Sequence, residues 1–249
     1  MRRSLARRAL AEALGTGLLV TAVVGSGIMA SRLSSGQVGL MLLENSIATA
    51  FALGVLILAL GPVSGAHFNP VISLADWWAG RRHRTGLQAP ELGVYIGAQL
   101  VGGVLGSVLA NVMFGLPAVT WSTTSRNHGY QLIGEVVATA GLVMLVFALA
   151  RTHRTAAAPA AVGAYIGAAY WFTSSTSFAN PAVTAGRAFT NTFAGIAPAS
   201  VPAFVGAQLV GMVVGLVLLV ALYPHPGRAA GEVVVPTVPA TTEGDRHPS

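Results

Sequence analysis

The chain contains no cysteine and no lysine. The first absence excludes a disulfide framework, a thiolate metal site and a cysteine nucleophile. The second makes all 14 positive charges arginines. Charge of either sign is scarce, at 9% of 249 residues, and aromatics reach only 7%. What is present instead is 53% hydrophobic residues, with 30 glycines and a mean hydropathy of +0.67. This is the composition of a protein that crosses a bilayer several times, not of a soluble domain. The net charge of +6 would suit nucleic acid. The arginines, however, fall in short clusters between apolar runs, the pattern of cytoplasmic membrane loops, so a lipid bilayer and no nucleic acid is the expected surrounding.

The apolar runs read as spans at about 9–30, 44–63, 91–113, 131–150, 157–175 and 200–223. The basic start MRRSLARRAL resembles a secretory or twin-Arg signal, but Glu12 interrupts the apolar part and the segment recurs later in the chain. Two stretches break the pattern. Ser64-Gly65-Ala66-His67-Phe68-Asn69-Pro70-Val71 follows the second span, and Thr176-Ser177-Phe178-Ala179-Asn180-Pro181-Ala182-Val183 follows the fifth. In each, Asn can cap a helix that Pro begins. Short helices are predicted over about 70–79 and 181–190. A Pro-started half helix beside a membrane-length span marks a binding site or pore. Residues 114–130 form a polar linker, and from Pro224 the chain is Pro- and Thr-rich without period, a predicted disordered tail over 224–249.

Tyr95-Ile96-Gly97-Ala98-Gln99-Leu100-Val101-Gly102 returns as Phe204-Val205-Gly206-Ala207-Gln208-Leu209-Val210-Gly211, and Ala11-Glu12-Ala13-Leu14-Gly15 parallels Gly134-Glu135-Val136-Val137-Ala138. Each half therefore reads span, span, half helix, span, over about 9–113 and 131–223. Three full spans per half is an odd number, so the second copy is inverted in the membrane and the half helices meet near its midplane. Eleven arginines fall at the N-terminus, after the first half helix, between spans four and five, and in the tail. Only Arg32, Arg126 and Arg187 fall opposite. Both termini are therefore expected in the cytoplasm, in a multi-pass inner-membrane protein.

With these blocks the chain, over about residues 9–223, resembles the aquaporin and aquaglyceroporin (major intrinsic protein) family. The resemblance implies an all-α membrane protein: six transmembrane helices plus two re-entrant half helices as an inverted repeat, one channel domain over 1–223. It also implies a homotetramer with one pore per protomer. The Asn-Pro boxes Asn69-Pro70-Val71 and Asn180-Pro181-Ala182 would line the pore, with the Asn amides turned to the lumen and two helix N-termini repelling cations. The non-helical stretches 64–68 and 174–179 would offer carbonyl ladders, since such backbone at membrane depth must be buried in protein or line a watery cavity. Glu12 and Glu135, ionisable groups inside spans, would support these loops, and His67 would hold loop backbone. Glu44 and Glu91 lie at span ends and read as interfacial. No acid or second His has ligand spacing near His67, and no nucleophile–base pair recurs, so neither a metal, a cofactor nor a catalytic residue is expected.

Counting from each Asn places the family's four-residue constriction at Thr49, Ala168, Ser177 and Val183. Members selective for water usually carry an aromatic, a His and an Arg there, and glycerol facilitators two aromatics, Gly and Arg. None of these stands at the counted positions. Val183 in place of Arg is similar to a bacterial branch associated with arsenic resistance. The resemblance thus implies a passive channel with a wide, weakly polar filter for small uncharged solutes, with trivalent metalloids such as arsenite and methylated arsenicals first. A general glycerol, urea and water facilitator remains open beside it. A secondary transporter shares the inverted repeat but would need a membrane-buried set of acids and arginines around a central site, whereas the mid-span acids, Glu12 and Glu135, are accounted for by loop support. Arg187, seven residues after Asn180, either reaches the outer vestibule, pairs with a helix end or snorkels to the interface.

Overall fold

The computed structural model describes residues 4–82 and 85–223; the predicted tail and His83-Arg84 lie outside the described residues. Among the described residues the chain forms eight α-helices: α1 (Leu5–Leu33), α2 (Val38–Ser64), α3 (Pro70–Gly80), α4 (Ala89–Met113), α5 (Gly129–Arg151), α6 (Ala158–Phe172), α7 (Pro181–Gly186) and α8 (Val201–Leu222). Five of them, α1, α2, α4, α5 and α8, are long and apolar enough to cross a membrane. The sixth span, α6, has 15 helical residues extended backwards by a 3-10 turn at Thr155–Ala157. Outward positions carry large exposed side chains such as Phe51, Leu58, Leu105 and Val217. Helices that are apolar all round suit a lipid surrounding.

The two halves repeat one packing scheme. α1 lies along α4, and α5 along α8; α2 and α6 pair across the halves; α3 also touches α8, and α7 touches α4. Glycine sets the closest approaches. A Cβ at Gly102 or Gly106 would sit 2.2 Å from the carbonyl oxygen of Ala13 or Gly17, and one at Gly211 or Gly215 would sit 2.6 Å from that of Val136 or Ala140. Small residues at these crossings let backbones meet, which drives helix association where no hydrophobic effect operates between helices.

Among the boundaries that differ from the sequence expectation, three have a visible cause. α2 begins at Val38, not near 44, because the apolar run Leu40–Leu43 continues the helix and Glu44 is accommodated by accepting the Ser34 hydroxyl at 2.6 Å. α6 stops at Phe172, three residues early, where Thr173 turns extended (φ −109°, ψ 138°). α7 ends at Gly186 and tightens into a 3-10 turn, Arg187–Phe189, before residue 190. There the backbone leaves the helix to bond the linker: Thr120 N–H donates to Phe189 O (3.2 Å) and Ser122 N–H to Ala188 O (3.1 Å).

Candidate functional site

The site is built where α3 and α7 begin. Asn69 and Asn180 both hold extended backbone and cap their helices, with Pro70 and Pro181 at the first helical position. Asn69 Oδ1 accepts the Val71 N–H (3.0 Å), while Asn180 Oδ1 accepts those of Ala182 (2.9 Å) and Val183 (3.2 Å). Each amide also reaches across the two-fold: Asn69 Nδ2 donates to Ala179 O and Asn180 Nδ2 to Phe68 O, both at 2.8 Å. One N–H of each side chain is therefore spent on locking the opposite loop. The second N–H of each remains for the cavity that both residues line.

The loops before the caps are held from behind by carboxylates. Glu12 is fully buried; its Oε1 accepts the Ser64 hydroxyl (2.6 Å) and the His67 N–H (3.0 Å), and its Oε2 the Phe68 N–H and Gln99 Nε2, both at 2.7 Å. Glu135, equally buried, accepts the Phe178 N–H (2.8 Å), the Ala179 N–H (2.9 Å) and Gln208 Nε2 (2.6 Å). Gln99 also donates to Ser73 Oγ (2.9 Å), and Gln208 to Thr184 Oγ1 (2.8 Å). A buried carboxylate tolerates its site only with its lone pairs so occupied. The two Gln were visible in the repeated GAQLVG block, yet their position alone did not say that they bridge the Glu of one span to the half helix. Near the first loop, Tyr95 Oη donates to Ser64 O (2.7 Å), and Arg8 pairs with Glu91 at 2.6 Å. Glu91 is thus a partner for a buried arginine as well as a helix-start residue. His67 Nδ1 lies 3.1 Å from Ser73 Oγ and its ring edges onto Tyr95.

Both loops take the same left-handed steps. Positive φ occurs at Gly65, Ala66 and Phe68, and at the matching Thr176, Ser177 and Ala179. Between loops and spans runs a narrow cavity of about 50 Å³. Its apolar wall comes from spanning helices, with Leu19, Leu53, Leu142, Val146 and Ile166 among the lining. Its polar side comes from His67, Asn69, Ser177, Asn180 and Arg187. Thr49, Ser177 and Val183 line it as well, and the Ser177 hydroxyl is buried without a hydrogen-bond partner.

Ala168 does not line it. It is exposed on the far side of α6, whose cavity face is Val162, Ile166 and Tyr170. Counting back from Asn180 lands on Ala168, two residues before Tyr170 on α6. Two residues rotate a helix by about 200°, which exchanges inside for outside. Tyr170 faces the cavity instead, with its hydroxyl 3.2 Å from Thr49 Oγ1. The cavity face of α6 thus carries a large side chain where the count expected a small one.

Arg187 is 2% exposed and lines the same cavity. Its guanidinium lies 3.4 Å from the centroid of the Phe178 ring, and its Nε donates to Ala194 O. Arg126, from the linker, stands 5.1 Å from the same centroid and donates to Gly195 O at 3.0 Å. Burial pushes the Arg126 guanidinium below its ordinary pKa, against the pull of Glu135 and Tyr170. Among the described residues no three His, Cys, Asp or Glu gather as a metal site.

The profile of the Major intrinsic protein family matches residues 1–178. The chain is 52% identical over 215 residues to aquaglyceroporin AqpS of Rhizobium meliloti (strain 1021), covering 86% of this chain and 89% of that protein. It is 32% identical over 176 residues to aquaporin Z of Photorhabdus laumondii, covering 63% and 71% respectively. The fold matches the X-ray structure of the aquaglyceroporin from Plasmodium falciparum with a TM-score of 0.61, at 21% identity, over 88% of this chain and 96% of that one.

Proposed function

Because the chain belongs to the major intrinsic protein family, and is a multi-pass membrane channel for small neutral solutes with no enzymatic chemistry, we propose that its conducting path is the cavity between the capped loops and the spanning helices. The constriction is made by Thr49, Tyr170, Ser177 and Val183. The observation that carries this reading is the pairing of apolar Val183 with the unpartnered Ser177 hydroxyl on one wall. A passing solute must exchange hydroxyl contacts with water for contacts with Ser177 and with the second N–H of Asn69 and Asn180. Neutral polyhydroxy molecules can do so, whereas an ion surrenders hydration it cannot recover there.

Trivalent metalloids are the first substrate class, arsenite and methylated arsenicals included. An uncharged trihydroxy species offers the acceptors that these donors need, and Val183 leaves room for a methyl group. The second reading, a glycerol, urea and water facilitator, gains support from Tyr170, which narrows one corner and adds a hydroxyl to it. The channel unit covers 1–223 and works as a homotetramer in the inner membrane with both termini cytoplasmic, a reading supported by the arginine asymmetry of the loops.

Proteoliposome flux of arsenite, methylarsenite, glycerol and water, by wild type and Val183→Arg, tests this. Wild type is expected to pass the arsenicals, and Val183→Arg to reduce methylarsenite flux at least about tenfold, roughly 1.4 kcal/mol of barrier, with a smaller effect on water. Equal loss for all four solutes, or no change, would remove Val183 from the constriction. Wild-type flux of glycerol and water with none of arsenite would select the second reading.

A further inference from the structure

In the family to which the resemblance leads, a cation stands at the position of Val183. This chain has another arginine, on the same helical face, four residues later. Four residues advance a helix by about 6 Å and return to nearly the same side. Side chains on a helix lean toward its N-terminus, so the Arg187 side chain points back down the turn toward Val183 and Ser177. Burial agrees with that direction, because Arg187 lines the cavity with them.

The guanidinium is held but not neutralised. Among the described residues Arg187 has no ion pair, and the one hydrogen bond of its side chain runs from Nε to Ala194 O. Stacking on Phe178 fixes the plane of the fork. Phe178 is itself anchored by its N–H to Glu135. Arg126 adds a second positive charge over the same ring, and the successive carbonyls of Ala194 and Gly195 hold the two arginines side by side. The arrangement leaves the outer Nη donors of Arg187 for the cavity.

The repeat supplies an internal control. Arg187 stands seven residues after Asn180, and Asp76 stands seven after Asn69. Asp76 is buried outside the cavity lining, where it accepts the Leu87 N–H at 2.7 Å. The same backbone position is thus structural in one half, while in the other it delivers a cation to the lumen.

We propose that Arg187, clamped on Phe178 and one helical turn beyond Val183, is the displaced cation of this channel's constriction: it repels cations and donates hydrogen bonds to hydroxylated solutes, while Val183 leaves the width. This rests on the channel reading. Separating charge from width lets the pore admit a bulky neutral solute without becoming a cation leak.

The test is paired flux in proteoliposomes: glycerol uptake, which certifies an inserted and open pore, and K⁺-driven and proton leak followed with internal dyes. Arg187→Leu is expected to raise cation leak at least about tenfold relative to its own glycerol flux. Arg187→Lys, which keeps the charge, should stay near wild type in that ratio, and Val183→Arg/Arg187→Leu should restore exclusion while losing the bulkier solutes. Should Arg187→Leu fail to insert, Arg187→Gln, which keeps a donor for Ala194 O, carries the same expectation. A glycerol-competent Arg187→Leu or Arg187→Gln channel as cation-tight as wild type overturns the proposal. Wild type that passes no neutral solute overturns the channel reading instead, so the two failures are distinct.

Discussion

The two capped loops share a backbone and differ in what they place on it. Both step through left-handed residues at matching positions, both are bonded by a buried Glu, and both lend a carbonyl to the opposite Asn. Yet His67 and Asp76 in the first half stand where Phe178 and Arg187 stand in the second, and Gly65 stands where Thr176 does. Glu12 takes the Ser64 hydroxyl as Glu135 takes that of the matching Ser175, and in the first half Asp76 also secures the segment after α3. The second loop keeps a left-handed β-branched residue, an unpartnered Ser177 hydroxyl and a cation facing the cavity. The difference teaches that the repeat conserves the main-chain hydrogen bonding, which the fold requires of both halves, and spends its side-chain freedom at one end of the path.

The comparison breaks most severely if the carboxylates are removed. Glu135→Ala would orphan two loop N–H groups and Gln208, at roughly 1–3 kcal/mol for each buried group left unsatisfied. Glu12→Ala, which strands the matching groups of the first loop, is expected to cost a similar amount. Both should yield little monodisperse protein in detergent and no glycerol flux. If both variants melted like wild type, the carboxylates would not be holding the loops.

A smaller effect separates the two caps. Asn180 accepts two N–H groups and Asn69 one. Each alanine variant should lose about 1 kcal/mol for the cap, and Asn180→Ala about one further hydrogen bond, near 1 kcal/mol. Thermal melting of the two variants side by side measures this, and a lower midpoint for Asn69→Ala would contradict it.

The smallest effect has the opposite sign. Thr176 at φ +62° sits in the left-handed region where its counterpart is Gly65 at φ +90°. A left-handed β-branched residue is costly, by about 1–2 kcal/mol, so Thr176→Gly is expected to raise the melting midpoint by a few degrees. Glycine's looser unfolded chain offsets part of the gain. Gly65→Thr should lower it. A destabilised Thr176→Gly would mean that the threonine makes compensating contacts.

Much of the fold was legible because its signals are local. Membrane-length apolar runs announce spans, and Asn-Pro announces a capped helix start. The repeated order of Glu, Asn-Pro and Gln announces two halves. The helix ends were read less well where tertiary contacts decide them, as at Glu44, whose bond to Ser34 lets α2 begin early. At the candidate site, the counted Thr49, Ser177 and Val183 all line the cavity. Ala168 lies off the cavity, because a count along the chain carries no information about which face of a helix turns inward. Tyr170 carried no signal of its own; a tyrosine in an apolar span looks like lipid-facing bulk until the helix is rotated into place.

By itself the sequence determined that this chain inserts in a membrane, that it does so as two related halves, and that each half presents a capped half helix. Composition, period and capping act within a few residues, so they survive without the fold. Only the tertiary structure decided which face of α6 looks inward, that each Asn bonds a carbonyl more than a hundred residues away, and that Arg187 faces the cavity while Asp76 does not. Those outcomes depend on rotation about a helix axis and on the lengths of loops between packed elements, where a shift of one or two residues reverses inside and outside.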